Sequence, residues 1–303
     1  MKTKNKILVA LDLEAQSVVA LKYAEHFAEI LDYELDVITV VEESSLLSRL
    51  FSGDEVEKKL NKDVQEQVDK LIEPYTGKVK INTTISYGKA YEEIVEYAKM
   101  IQPSLIIMGK SEMPKYKRAF LGSNSLHVIL ESEFPVITIR GDYDFEKYKK
   151  EHHDILVPLD LKKDISEQIS AAVEVSKLFD SSLYLYAVER KGSTGEKTRM
   201  LTQLAKIKEA LIKEGVKCKT GLASDEKTPV YELICNEAQK CSASLIVIMT
   251  RDENKFTDLF MGSNARDIIN NSDIPVLSVE PWDRKEGSEV FSQFIDIFSV
   301  YNK

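Results

Sequence analysis

Apolar and polar positions alternate along this chain between short, wholly apolar runs and longer stretches of helical periodicity. Lys6-Ile-Leu-Val-Ala-Leu-Asp12 is apolar until its closing carboxylate, the pattern of a central parallel strand covered on both faces. Ala20, Ala24, Phe27, Ala28 and Leu31 then share one helical face, and residues 35–41 read as a second strand. Within the charged segment 42–75, an apolar stripe of Val56, Leu60, Val64, Val68 and Leu71 predicts a helix. Residues 78–86 form a third strand. Tyr91, Ile94, Val95 and Ala98 mark a helix that Gln102-Pro103 ends, because the residue before proline is pushed out of the helical region. A fourth strand follows at 105–108, a helix opens near Ser123, and 135–139 is a fifth strand.

The same order then returns. Residues 141–153 carry mixed charge without periodicity and read as a linker, including His152-His153, which is expected to be surface and not a metal site. Asp154-Ile-Leu-Val-Pro-Leu-Asp160 repeats the first strand, and the later elements recur down to a strand at 275–279. The expected division is a first domain over 1–140, the linker, a second domain over 154–280 and a tail over 281–303. In the tail, Val290, Phe291, Phe294, Ile295 and Phe298 form an amphipathic face that should pack on the domains or meet a partner. Strands alternating with helices imply right-handed crossovers. The predicted fold class is therefore α/β, two tandem doubly wound open parallel five-stranded sheets of Rossmann-like type, whose ligands would sit at the carboxyl ends of the strands.

One motif stands out in each copy. Ser104-Leu-Ile-Ile-Met-Gly109 is followed by Leu121-Gly-Ser-Asn-Ser125, and Ser244-Leu-Ile-Val-Ile-Met249 by Met261-Gly-Ser-Asn-Ala265. Each small-residue segment opens a helix whose unpaired N–H groups and dipole favour an anion. Asp12 stands at a strand end as a hydrogen-bond acceptor, and Lys110, Lys115, Lys117 and Arg118 could neutralise an anion. Singly, these features also read as a helix cap and a solvated loop. Glu112 opposes an anion in the same loop.

Composition narrows the classes. A formal charge of −9 disfavours nucleic acid as a partner. No apolar run approaches a membrane span, and no apolar leader follows Met1, so a cytoplasmic protein is expected. Cys218, Cys235 and Cys241 form no CxxC pair and are expected to be inert thiols. The P-loop pattern GxxxxGK[ST] is absent, and His127 has no nucleophile or metal-ligand set beside it in sequence, so no catalytic residue and no metal site is assigned.

The strand ending Val9-Ala-Leu-Asp12, the Leu105-Ile-Ile-Met-Gly109 strand-turn, Leu121-Gly-Ser123 and Phe134-Pro-Val-Ile-Thr-Ile139 together resemble the universal stress protein family, in its tandem form. The resemblance spans both copies. It implies an adenine nucleotide hydrolase-like fold and, as in some members, binding of ATP or another adenine nucleotide, with Mg2+ left open. The nucleotide-binding positions it implies are Asp12, Val40, Met108, Gly109, Lys110, Gly122, Ser123, Asn124 and Ser125. The family's second glycine is Glu112 here, which implies weak or altered binding. In the second copy both leading glycines are replaced, by Met249 and Asp252, leaving a degenerate site of Asp160, Gly262, Ser263 and Asn264. The resemblance further implies an internal pseudo-dimer through strands 136–139 and 276–279, with a homodimer and an unnamed protein partner as further expectations. The implied role is a non-catalytic stress sensor or regulator, against a nucleotide-independent interaction protein and, third, slow ATP hydrolysis or nucleotidyl transfer.

Overall fold

The computed structural model describes residues 5–42, 54–110, 122–145, 154–190, 193–250 and 261–279, with backbone alone for 54–60 and Leu178. Glu112, Lys115, Lys117, Arg118, Asp252, His152-His153, the tail, and the side chains of Val56 and Leu60 lie outside the described residues. The chain forms two compact units, Met1–Tyr143 and Asp144–Lys303.

In the first unit the elements run β1 (Lys6–Ala10), α1 (Ala15–Leu31), β2 (Glu34–Glu42), α2 (Asp54–Ile72), β3 (Ile81–Gly88), α3 (Ala90–Ile101), β4 (Leu105–Lys110), α4 (Ser123–Glu131) and β5 (Val136–Arg140). The strand order is β3-β2-β1-β4-β5, with every pairing parallel. The order reverses between β1 and β4, so the crevice beyond their carboxyl ends is where such a sheet receives a ligand. Ile7, Leu8, Val9, Ile106, Ile107 and Ile137 are buried, which is why these strands carry no polar alternation.

The second unit repeats this with β6 (Ile155–Leu159), α5 (Ser166–Leu178), β7 (Leu183–Glu189), α6 (Thr194–Lys213), β8 (Cys218–Ser224), α7 (Val230–Lys240), β9 (Leu245–Met249), α8 (Ser263–Asn271) and β10 (Val276–Val279). Its order is β8-β7-β6-β9-β10, again parallel. The predicted doubly wound class holds in both units.

Several boundaries differ from the sequence reading. Strand β3 starts at Ile81 because a 3-10 turn at Glu73–Tyr75 extends the preceding connection, where Lys78 N–H bonds Tyr75 O. The buried stripe of α2 runs Val64, Val68, Ile72, while Leu71 is half-buried. That spacing of four puts the three side chains on one face of the helix.

The two units stabilise their sheets with inverted polar groups. In the first, Lys6 Nζ lies 3.2 Å from buried Asp36. Asp36 also accepts from Tyr97 of α3 at 3.1 Å, and Thr84 donates to the Tyr97 hydroxyl at 2.9 Å. In the second, the positions of Lys6, Asp36, Asn82 and Tyr97 are taken by Asp154, Tyr184, Lys219 and Glu237. Lys219 donates to Asp154 at 2.8 Å, and Tyr184 donates to Glu237 at 2.8 Å. Tyrosine and carboxylate have exchanged sides of the same helix–strand contact. The exchange needs room on β8: a Cβ at Gly221, the counterpart of Thr84, would run into the Tyr184 hydroxyl. Burial pushes both tyrosine hydroxyls above their ordinary pKa.

Candidate nucleotide site

Gly122 is the residue from which the first unit's site is built. It caps α4 at φ −53° and ψ 143°, a conformation open to any residue, and offers no side-chain cap. Leu126 N–H makes the first bond of the helix, to Gly122 O, so the N–H groups of Ser123, Asn124 and Ser125 precede it and have no intrahelical acceptor. Among the described residues nothing lies within 4 Å of where a Gly122 Cβ would stand. Neither the backbone conformation nor packing among the described residues requires glycine here. A bare backbone with three forward N–H groups is suited to close approach by an anion.

Gly109 is glycine for the opposite reason. It lies in β4 beneath the first turn of α1, where a Cβ would stand 2.5 Å from Gln16 C, 2.6 Å from Gln16 O and 2.8 Å from Ser17 N. Helix α1 therefore rests directly on this strand. Ser125, buried, bridges from α4 to the same point, its hydroxyl 3.5 Å from Gly109 O.

Asp12 lies in the exposed β1–α1 turn. Its Oδ1 accepts from Glu14 N–H at 3.0 Å and its Oδ2 from Gln16 Nε2 at 3.2 Å, so it organises the start of α1. Leu13, between them, holds φ 65°, a left-handed conformation that is strained for a bulky side chain. Its counterpart Leu161 does not. Met108 is buried and paired with Ala10. Val40 is half-buried near the carboxyl end of β2, and Lys110 is buried at the end of β4.

Two further groups frame this end of the sheet. Asn124 Nδ2 donates to Glu42 Oε1 at 3.2 Å, tying α4 to the last residue of β2. His127 stacks on Tyr91 with ring centroids 4.4 Å apart and bonds Glu131 at 2.8 Å through Nδ1. Glu92 accepts from Lys89 and Tyr91, which holds its carboxyl below the usual range and raises the Tyr91 phenol. Glu42 went unnoticed in the sequence. Its only signal was a carboxylate closing an apolar strand.

The second unit keeps Gly262, again with open space at its Cβ position and φ −58°, followed by Ser263 and Asn264. The floor beneath differs. Pairing of β6 with β9 is recorded for two rungs, Ile155–Leu245 and Leu156–Ile246, against four between β1 and β4. Pro158 has no N–H to continue the ladder. Buried Gln168 bridges the gap, its Nε2 donating to Pro158 O at 3.0 Å and Val247 O at 3.1 Å. Helix α5 starts at Ser166, six residues after Asp160, whereas α1 starts three residues after Asp12. A Met249 side chain where α1 meets Gly109 is incompatible with the closer start. Asp160 accepts from Lys162 N–H at 3.2 Å in an exposed turn.

No group of His, Cys, Asp and Glu able to hold a metal occurs among the described residues. No described helix is long and apolar enough to cross a membrane. No disulfide joins Cys218, Cys235 and Cys241, and burial pushes the Cys218 thiol up to about 11 and raises Cys241 as well.

Two doubly wound units with small-residue helix openings over their switch points define a tandem Rossmann-like protein. The model of the Universal stress protein family matches residues 4–140 and 152–280, and the chain belongs to that family. It is 30% identical over 140 residues to universal stress protein MJ0531 of Methanocaldococcus jannaschii, a match covering 45% of this chain and 81% of that one. It is likewise 30% identical over 146 residues to universal stress protein YxiE of Bacillus subtilis, covering 45% of this chain and 99% of the relative. A solved universal stress protein of Archaeoglobus fulgidus shares the fold over 93% of this chain and 98% of its own, with a TM-score of 0.71 at 22% identity.

Proposed function

We propose that the first unit binds an adenine nucleotide at the carboxyl ends of β1 and β4, and that occupancy serves a non-catalytic sensing or regulatory role. The observation that carries this reading is Gly122: among the described residues nothing requires a glycine there, and it stands before three N–H groups with no intrahelical acceptor. The Ser123 hydroxyl supplies a further donor, and Asp12 stands at the adjoining strand end for a ribose. Family membership supports the same use of the crevice. The second unit acts as a structural partner whose own site is degenerate, because Met249, Pro158 and Gln168 reshape its floor.

The test is Gly122→Asp in the full chain. The φ of −53° and the open space accept the side chain, and aspartate is a favourable helix N-cap, so folding should persist. The new carboxylate would occupy the place of a phosphate. Titration calorimetry with ATP and AMP should show about one nucleotide per chain in the parent and at least tenfold weaker binding in the variant. Undiminished binding by the variant would move the site elsewhere. A parent that binds neither would favour the nucleotide-independent interaction protein, a reading suited to Asp12, whose oxygens already serve its own turn.

A further inference from the structure

Glu42 closes β2 at the carboxyl end of the sheet, and the contact of its Oε1 with Asn124 Nδ2 reaches across 82 positions of sequence. Asn124 is the second residue of α4, so this carboxylate stands beside the N–H groups that a phosphate would use. The fold does not dictate that charge. Continuing the registers of β1 with β2 and of β6 with β7, the matching position of the second unit is Arg190, whose guanidinium donates to Thr228 O at 2.8 Å. A strand end that accepts either sign is free to be set by what lies in front of it.

Two opposed effects meet at this point. A helix N-terminus favours an exposed anion by about two- to fivefold. A fixed carboxylate nearby opposes each ligand charge by a comparable factor, screened as salt rises. The helix contribution is the same for one phosphate as for the first of three, whereas repulsion accumulates with every added charge. Resting on the nucleotide reading above, we propose that Glu42 sets the charge preference of this site, disfavouring polyphosphates and selecting an adenine ligand of low charge, a nucleoside or monophosphate over a triphosphate. Asn124 holds the carboxylate in place, so its side-chain amide serves Glu42 first.

The test compares the full chain with Glu42→Gln and Asn124→Ala in calorimetric titrations with adenosine, AMP and ATP. Glutamine keeps the shape of the side chain and removes the charge. Glu42→Gln should strengthen ATP binding by about five- to tenfold, AMP by a smaller factor and adenosine by less than twofold. The gain for ATP should shrink in 0.5 M salt, which a purely structural effect would not do. Asn124→Ala keeps the charge but releases the carboxylate from its restraint, and should give ATP a smaller gain than Glu42→Gln does. Equal gains for adenosine and ATP, an equal gain from Asn124→Ala, or no gain at all would overturn the proposal. If parent and variants bind none of the three ligands, the nucleotide reading fails and this one with it.

Discussion

Replacing Gly109 by alanine should loosen the first unit without altering any polar group of its site. The added Cβ would lie 2.5 Å from Gln16 C, 2.6 Å from Gln16 O and 2.8 Å from Ser17 N, all backbone atoms of α1. Carbon atoms pack at about 3.5–4.0 Å, so helix and strand must part by roughly 1 Å. No side-chain rotation can relieve a clash with backbone. Overpacking of this kind costs about 1–3 kcal/mol. Alanine also restricts the unfolded chain, which offsets roughly 0.4–1 kcal/mol, since Gly109 does not use a positive φ. A net loss of about 1–2 kcal/mol is expected. Urea unfolding followed by far-ultraviolet circular dichroism would show it as a lower midpoint at unchanged slope. Because the displaced turn carries the Asp12 contacts to Glu14 and Gln16, nucleotide affinity should fall as well. A variant as stable as the parent would refute the claim that α1 rests on this glycine.

Two further outcomes follow from the second unit. Gln168→Ala leaves the buried carbonyls of Pro158 and Val247 without their donor, which should cost about 2–4 kcal/mol in the same unfolding assay; a loss under about 0.5 kcal/mol would mean the splayed strands need no bridge. Cys218 titrates near 9 when unfolded and at about 11 when folded, so the folded state keeps its proton through that window while the unfolded chain gives it up. The stability it contributes is complete below pH 9 and is lost as pH rises toward 11, with a slope below the ~1.4 kcal/mol per pH unit of a fully shielded group. The urea midpoint of the parent should therefore fall more steeply from pH 8.5 to 10.5 than that of Cys218→Ser, and parallel slopes would contradict it.

Sequence by itself determined the repeat and the fold class. Both rest on local pattern: apolar runs such as Ile7–Val9 and Ile106–Ile107 can only be strands buried on both faces, and helices of period 3.6 between them leave few topologies. It also located Gly122-Ser-Asn as a helix opening, because a cap is a local device. Only the tertiary structure separated two glycines that look alike in sequence. Gly109 answers to the backbone of α1, some ninety positions away, whereas Gly122 meets no atom of the described residues that would require it. The same holds for the exchange of tyrosine and carboxylate between Asp36–Tyr97 and Tyr184–Glu237, and for Glu42 meeting Asn124. Each depends on which distant atoms the sheet brings within hydrogen-bonding or van der Waals reach, and a one-dimensional pattern carries no distances between residues far apart in the chain.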